Sequence, residues 1–371
     1  MSEDKKLAIV GANEFQQRLI LKAKELGYET HVFAWKDGAV GANDADYFYP
    51  VNIREKDIIL KICQDRNING ITSIASDLAV ITVNYVAGQM GLTGNSMESA
   101  KVCTNKYLMR KRLEESGMKV PLYKRVARSD ELNINQFHFP IIVKPTDRSG
   151  SRSITKLYHR DNLEEAIKRA VDVSFEKKAI VEEYLEGDEY SCECISYHGQ
   201  HSMLAITKKY TTGSPYYIET GHMEPAELSI EETDIVRSTI FQALDALQIE
   251  NGASHSEFKL KNNEISIIEV GARMGGDYIG SDLVYLSAGL DFMRMVIDVA
   301  VGNMPDFTQY KECEKAFVRF LLSQKDIDEY LEFKEKHLIY RDGSIDYTNL
   351  NHVTDSSSRL GYYIYLNSES D

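Results

Sequence analysis

No stretch of this chain reaches the 18 consecutive apolar residues that a bilayer-spanning helix needs. The start of the chain is not expected to act as a secretory leader. The opening Met-Ser-Glu-Asp-Lys-Lys is charged, and the apolar run behind it, Leu7 to Val10, is far shorter than a signal-peptide core. A cytoplasmic protein without membrane contact is the expectation. Cysteine is scarce: Cys63, Cys103, Cys192, Cys194 and Cys313 are odd in number, scattered and free of any CxxC pair, which argues against a zinc site or a disulfide framework. Cys192 and Cys194 lie in an alternating stretch and read as two thiols on one face of a strand. Positive charge is in deficit, with 43 Lys and Arg against 57 Asp and Glu and a net charge of −14. That balance disfavours nucleic-acid or anionic-membrane partners but leaves room for a nucleotide where basic residues gather. The motifs GxGxxG, GxxxxGK and HExxH are all absent. Gly11 stands alone in the first turn, and no acidic residue follows the second strand at the usual place. No internal repeat or low-complexity segment stands out.

The length of 371 residues suits two or three packed units. From 7 to 103, short apolar runs (Leu7–Val10, Thr30–Ala34, Ile71–Ala75) alternate with helical stretches (14–27, closed by Gly27, and Ala79–Met90). This βαβ succession predicts a parallel sheet with helices on both faces. A boundary falls near Cys103-Thr104-Asn105, where a capping residue opens a charged helix, Lys106–Glu115, closed by Gly117. Strands at Pro140–Lys144, Ser153–Leu157 and Ala179–Glu183 then surround a helix at Asn162–Val173. A helix at Ile230–Leu247 precedes a hairpin at 253–270. Mixed strands and a helix follow 306, and the tail is polar.

Lys144 ends a buried strand, a costly place for a charge unless an anion meets it. The loop Thr146-Asp-Arg-Ser-Gly-Ser-Arg-Ser153 can turn backbone N–H groups toward a phosphate, and Arg148 and Arg152 have no obvious protein partner. The loop reads equally well as a solvated turn. Ala179 to Tyr190 runs a buried strand into a turn at Gly187. It reads as an adenine edge with a ribose carboxylate or as an acidic hairpin. The strands Ser254–Leu260 and Glu264–Val270 flank Lys261-Asn-Asn263. If the pairing centres on residue 263, Glu257 and Glu269 face each other with Cβ atoms roughly 5 Å apart. Two facing carboxylates repel unless a cation lies between them, and an oxygen-only pair suits Mg²⁺ shared with phosphates. A one-residue slip would separate them. Arg273, in Gly-Ala-Arg-Met-Gly-Gly276, is placed to hold an anionic substrate or a migrating phosphoryl group.

In this order and spacing the segments resemble the ATP-grasp superfamily, most closely the bacterial L-amino-acid ligases and other carboxylate–amine ligases. Glycinamide ribonucleotide synthetase and biotin carboxylase are similar more distantly. The resemblance implies an α/β and α+β multidomain fold. Residues 1–103 would be a Rossmann-like N-terminal domain that helps to bind substrate. Residues 104–305 would be an ATP-grasp domain with a small lid subdomain at about 120–185, and 306–371 a C-terminal α/β segment packed on it. Lys106 and Lys144 become phosphate contacts. Residues 147–153, with Arg148, Ser149, Gly150 and Ser151, become the lid over the phosphates. Glu182, Glu183, Tyr184 and Leu185 line the adenine and Glu189 binds the ribose. Glu257 and Glu269 hold one or two Mg²⁺, with Mn²⁺ able to substitute, and Arg273 contacts the transferred group. Many members place Asn where this chain has Gly271. Substrate candidates are Asp77, Glu219, His222, His255, Gly275, Gly276, Tyr278, Ser281 and Arg359. Glu219 and His222 fall in a stretch, Thr212–His222, read as a loop closing on substrate. The implied reaction uses ATP to turn a small carboxylate into an acyl phosphate and passes it to an amine, in a chain that works alone or as a homodimer. Two rival readings are a Rossmann oxidoreductase and a nucleotide-binding regulator without turnover.

Overall fold

The computed structural model describes residues 5–214, 217–311, 314–350 and 353–367. Met1–Asp4, Pro215 and Tyr216 of the expected closing loop, Cys313 and the end of the polar tail lie outside the described residues.

The chain begins with β1 (Lys6–Val10), α1 (Glu14–Glu25), β2 (Glu29–Ala34), β3 (Tyr47–Pro50), α2 (Lys56–Arg66), β4 (Gly70–Thr72) and α3 (Asp77–Met90). The strands pair in parallel in the order β3-β2-β1-β4. Leu7 and Ile9 point into one core with Leu19, Ile20 and Ala23 of α1. Ala8 and Val10 point into another with Ile59 and Cys63 of α2 and Ala79 and Val86 of α3. This is the two-residue alternation of a strand buried on both faces. The sequence reading missed β3 and α2. β3 is a four-residue edge strand ending in proline, which an edge tolerates.

After α4 (Met97–Cys103) comes α5 (Lys106–Glu115), opened by Asn105, whose side chain accepts from the Tyr107 and Leu108 amides at 3.1 Å. A small antiparallel sheet follows, built from β5 (Tyr123–Val126), β6 (Ile141–Pro145), β7 (Thr155–Leu157) and β8 (Ala179–Glu183) in the order β5-β8-β6-β7. Helix α6 (Leu163–Val173) covers it with Leu163, Ala166, Ile167 and Ala170, spaced as one helical face. β7 starts later than expected because Ser151 and Ser153 are left-handed, with φ of 54° at each.

The rest of the chain builds an eight-stranded antiparallel sheet. It comprises β9 (Asp188–Tyr197), β10 (Gln200–Thr211), β11 (Glu219–Glu224), β12 (Gly252–Lys261), β13 (Glu264–Gly271), β14 (Lys315–Leu321), β15 (Ile339–Asp342) and β16 (Gly361–Asn367), in the order β13-β12-β9-β10-β11-β14-β16-β15. Glu219 and His222 therefore ride on a strand and not on a loop, because β11 finds ladder partners in both β10 and β14. Helix α7 (Ile230–Ala246) and α5 cover one face near β12 and β13. Helix α8 (Val284–Ala288) and helix α9 (Phe292–Ala300) lie on the other. α9 also packs against α1 and β1, so one helix joins the parallel sheet to the large one. β4 approaches α9 so closely that a Cβ on Gly70 would sit 2.6 Å from the Ala300 carbonyl oxygen. Helix α10 (Gln324–Glu335) packs over β14 and β16. Among the described residues no helix is long and apolar enough to cross a membrane.

Candidate active site

The hairpin β12–β13 sets the geometry. Its turn is the two-residue Asn262-Asn263, both left-handed at φ 51° and 62°, the pairing that a type I′ turn requires. That turn registers Phe258 against Ile267, and an unbroken ladder would set Glu257 against Ile268. A bulge at Ile268 instead brings Glu269 opposite Glu257. The facing pair foreseen from the sequence therefore exists, but a bulge produces it, and no centring of the turn on residue 263 is involved. Arg110 on α5 braces the bulge by donating from Nη2 to the Ile268 carbonyl at 2.8 Å.

Each carboxylate has a lysine. Lys106 Nζ donates to Glu269 Oε1 at 2.7 Å and to the Arg148 carbonyl at 2.8 Å, and Lys209 of β10 donates to Glu257. His255 Nε2 lies 3.3 Å from Glu257 Oε1, and its Nδ1 meets the fully buried Glu193, which also accepts from the Gly275 amide at 2.9 Å. Burial works against charge on Glu257, but Lys209 and His255 outweigh it and hold the carboxyl well below its usual range. Burial likewise opposes the imidazolium of His255, yet Glu193 and Glu257 raise it to about 9.

A second group of charges lies under the cleft. Lys144 Nζ is 2.7 Å from Glu182 Oε2, and Arg110 Nε donates to Glu182 Oε1 at 2.5 Å. Burial would raise Glu182, but Arg110 and Lys144 hold it at about 2. Lys144 is pushed below its ordinary value by burial and by Arg110 and Lys106, against the pull of Glu182. Two buried cations thus share one buried carboxylate, and Arg110 Nη1 has no hydrogen-bond partner. A polyanion would complete this set.

These residues open into one cleft of about 1200 Å³, solvent-exposed space included. Its lining brings together Lys106, Lys144, Glu182 to Leu185, Glu189, Glu257, Glu269 and Arg273, together with Asp77, Glu219 and His255. The loop residues Arg148, Ser149, Gly150 and Ser151 line it as well. Left-handed Gly150, Ser151 and Ser153 curl that loop as an anion-binding nest requires. Arg148 does have a protein partner, contrary to expectation: its guanidinium stacks 4.4 Å above the Phe175 ring. Ile142, Ile154, Tyr184, Leu185 and Ile268 give the cleft an apolar end fit for a planar base. Of the four residues expected along that base, Glu182 and Glu183 have engaged carboxylates. Glu182 is tied as described, and Glu183 accepts from the His138 amide at 2.8 Å. Glu189 stays at the cleft wall, 2.8 Å from Lys259.

Arg273 is held by Asp77 of α3, through Nε at 2.8 Å and Nη2 at 3.2 Å. A Cβ at Gly271 would come within 3.3 Å of both Arg273 Cζ and Asp77 Oδ1, so this pair fills the space that an asparagine would need. A Cβ on Gly275 would crowd Glu193 and His255 at 2.8 Å, whereas Gly276 meets only Ala75 at 3.6 Å. His222 and Arg359 do not line the cleft. Arg359 grips Asp277 at 2.7 and 3.0 Å, and buried His222, with neither ring nitrogen hydrogen-bonded, lies 3.7 Å from Asp277. Ser281 belongs to a junction with α1, accepting from Arg18 at 2.9 Å, and Tyr278 donates to Glu14 at 2.9 Å. The sequence reading missed Arg110, Lys209 and Glu193. The four-residue spacing of Arg110 from Lys106 on one helix face is the signal that could have found it.

Glu257 and Glu269 offer two facing oxygen donors. Among the described residues no set of three His, Cys, Asp or Glu side chains is grouped to hold a metal alone. The pair fits a hard cation whose remaining ligands are phosphate oxygens and water.

The family description "ATP-grasp domain" matches residues 137–282. The chain is 26% identical over 286 residues to alanine–anticapsin ligase of Bacillus subtilis, covering 69% of this chain and 60% of that protein. It therefore spans less than two thirds of that relative's length. It is 26% identical to D-alanine–D-alanine ligase of Flavobacterium johnsoniae, covering 72% of this chain and 85% of the relative. The structure of an L-amino acid ligase from Bacillus licheniformis superposes with a TM-score of 0.81 at 20% identity, over 99% and 94% of the two chains. That of a phosphoribosylglycinamide synthetase from Anaerococcus prevotii does so with 0.76 at 22% identity, over 98% and 94%. With its lysines, its facing glutamates and its curled loop gathered on one cleft, this chain carries an ATP-grasp domain within the mixed α/β fold shared by those ligases.

Proposed function

We propose that this protein is an ATP-dependent ligase that activates a small carboxylate as an acyl phosphate and joins it to an amine, releasing ADP and phosphate. The observation that carries the reading is the convergence of Lys106, Lys144, Arg110, Arg273 and the Glu257–Glu269 pair on one cleft with an apolar end. The names of the sequence relatives, ligases of amino acids, support it.

In this reading residues 1–103 form the Rossmann-like unit that helps to bind substrate, and about 120–185 form the lid. The base lies between Ile142, Tyr184 and Leu185, and Glu189 takes the ribose hydroxyls. Lys144, Lys106 and the unpartnered Nη1 of Arg110 receive the phosphates. Glu257 and Glu269 would hold Mg²⁺, or Mn²⁺ in its place, which on binding neutralises charge on the phosphoryl oxygens. Lys106, which lines the cleft, turns from Glu269 to the ligand as it enters. A substrate carboxylate oxygen forms a bond to the γ-phosphorus. The bridging P–O bond to the β-phosphate breaks, and ADP leaves with the electron pair. Arg273, steadied by Asp77, offsets the charge of the moving group. Loop 146–153 closes over the acyl phosphate and excludes water. The amine then attacks the acyl carbon and phosphate departs. Glu219, with Ser356 donating to its Oε2 at 2.5 Å, is positioned to recognise the ammonium of that second substrate. A cytoplasmic location and a homodimer belong to the same proposal. A phosphate-release screen over pairs of amino acids and other small carboxylates tests it. Release that needs both partners supports the reading, and release with no pair at all refutes it.

A further inference from the structure

A second open cleft, of about 1050 Å³, lies between the N-terminal unit and loop 146–153. It shares Asp77, Lys106, Arg148, Ser149, Arg152 and Glu269 with the nucleotide cleft, so the two meet at the phosphate end. Its outer part is unlike the first. Leu78, Ile81 and Phe175 make it apolar, and Arg54, just before α2, and Lys56, its first residue, make it cationic, while the acidic Asp147 beside them is engaged by the Phe175 and Glu176 amides at 3.0 and 2.8 Å. Arg54 and Arg148 stack on the same Phe175 ring, at 4.6 and 4.4 Å, and Lys56 lies 4.2 Å above the Tyr85 ring. Among the described residues neither Arg54 nor Lys56 has a carboxylate within 4.0 Å. In a chain with a net charge of −14, two cations oriented on aromatic faces and left without acidic partners call for an anion from outside.

The chemistry proposed above says where that anion belongs. Phosphoryl transfer aligns the attacking and leaving oxygens, so the acceptor carboxylate approaches the γ-phosphate from the side away from the base. The second cleft opens on the shared phosphate end from such a side. A carboxylate seated at Lys106 and Glu269 would leave Arg54 and Lys56 free to hold another negative group. We propose that this cleft binds the carboxylate substrate, and that the substrate is an acid carrying a second anionic group, a carboxylate or a phosphate, recognised by Arg54 and Lys56. The inference rests on the ligase reading for the direction of attack.

The test is calorimetric titration of the protein, saturated with Mg²⁺ and a non-hydrolysable ATP analogue, with glutarate, 3-phosphoglycerate and butyrate. At least one dianion binds about tenfold or more tightly than butyrate, the scale of one to two partly exposed charge contacts. An Arg54→Gln/Lys56→Gln variant loses that preference while its affinity for the analogue stays within about twofold. Arg54 is exposed and Lys56 half-buried, so the variant should fold, which its unchanged thermal midpoint would verify. Preference for glutarate names the second group as a carboxylate, and preference for 3-phosphoglycerate names it as a phosphate. Equal binding of butyrate, no binding by any of the three, or a preference that survives in the double variant overturns the proposal. Failure of the ligase reading shows separately, as absence of ADP release with ATP.

Discussion

The inner wall of the nucleotide cleft and the rim facing the N-terminal unit treat charge in opposite ways. On the wall four carboxylates are each met by a cation: Glu257 has Lys209, Glu269 has Lys106, Glu182 has Lys144 and Arg110, and Asp77 has Arg273. On the rim Arg54, Lys56 and Arg148 rest on aromatic rings. A burial argument accounts for the difference. Charges taken out of water must be paired where they stand, because an unpaired buried charge is strongly destabilising. Charges at a rim keep part of their hydration and can wait for a ligand. The wall is thus a self-neutralised set whose partners exchange when Mg-ATP enters, and the rim is an open set.

The sharpest way to break this contrast is to remove an exchangeable anion. Glu257→Gln or Glu269→Gln should lower turnover at least about a hundredfold, since changes at metal sites cost that much even beyond the ligands themselves. The protein should still fold but with a lower thermal midpoint, because each change leaves a buried lysine, Lys209 or Lys106, short of its carboxylate. Steady-state kinetics with both variants near the parent rate would remove the pair from the metal site.

The next largest effect concerns a permanent partner. Arg110→Met leaves Glu182 with Lys144 alone and frees the bulge carbonyl of Ile268, so it should cost about 3 kcal/mol in urea unfolding. The double variant Arg110→Met/Glu182→Leu should recover part of that loss. The pH dependence follows. Glu182 is held at about 2 against an ordinary 4.5, so its contribution to stability is complete above 4.5 and disappears as the pH falls toward 2. Without Arg110 the folded value rises, and acid unfolding should begin at higher pH. An unmoved acid limb would mean that the pair contributes nothing.

Glu189→Ala should raise the KM for ATP about tenfold with little change in kcat, as expected for a charged hydrogen bond made equally in ground and transition states. A loss confined to kcat would place Glu189 elsewhere. The smallest effect probes the rim. Trypsin should cut after Arg148 and Arg152 in the free protein, and Mg²⁺ with an ATP analogue should slow cutting several-fold, whereas NAD should not. Because Arg148 is partly secured on Phe175, Phe175→Ala should speed the cutting of the free form. Equal rates with and without the analogue would deny the loop its covering role.

Much of the wall was legible because its residues obey short-range rules. Lys144 at a strand end, the cap at Asn105 and the apolar run from Leu7 to Val10 each follow from local chemistry. The Glu257–Glu269 pairing was legible as to outcome only. The bulge at Ile268 is braced by Arg110, 158 residues away in sequence, and no local pattern announces it. Lys209 was missed for a related reason: Lys208-Lys209 reads as a solvated charge pair until β10 is seen to lie beside β9 and to aim the second lysine at Glu257. β11 was read as a loop because its partners β10 and β14 flank it in space, and β14 lies far along the chain. Gly271 read as a missing ligand. The structure shows it as the space occupied by the Arg273–Asp77 pair, which ties α3 to the turn after β13 across 196 residues of sequence.

The acyl-phosphate route, on which the whole account depends, leaves an isotopic trace. With a substrate acid labelled with ¹⁸O in its carboxylate, one labelled oxygen bridges to the γ-phosphorus and leaves with it when the amine attacks. Mass spectrometry of the inorganic phosphate after turnover should therefore find one ¹⁸O per phosphate and none in the nucleotide. Unlabelled phosphate, or label in AMP, would contradict it.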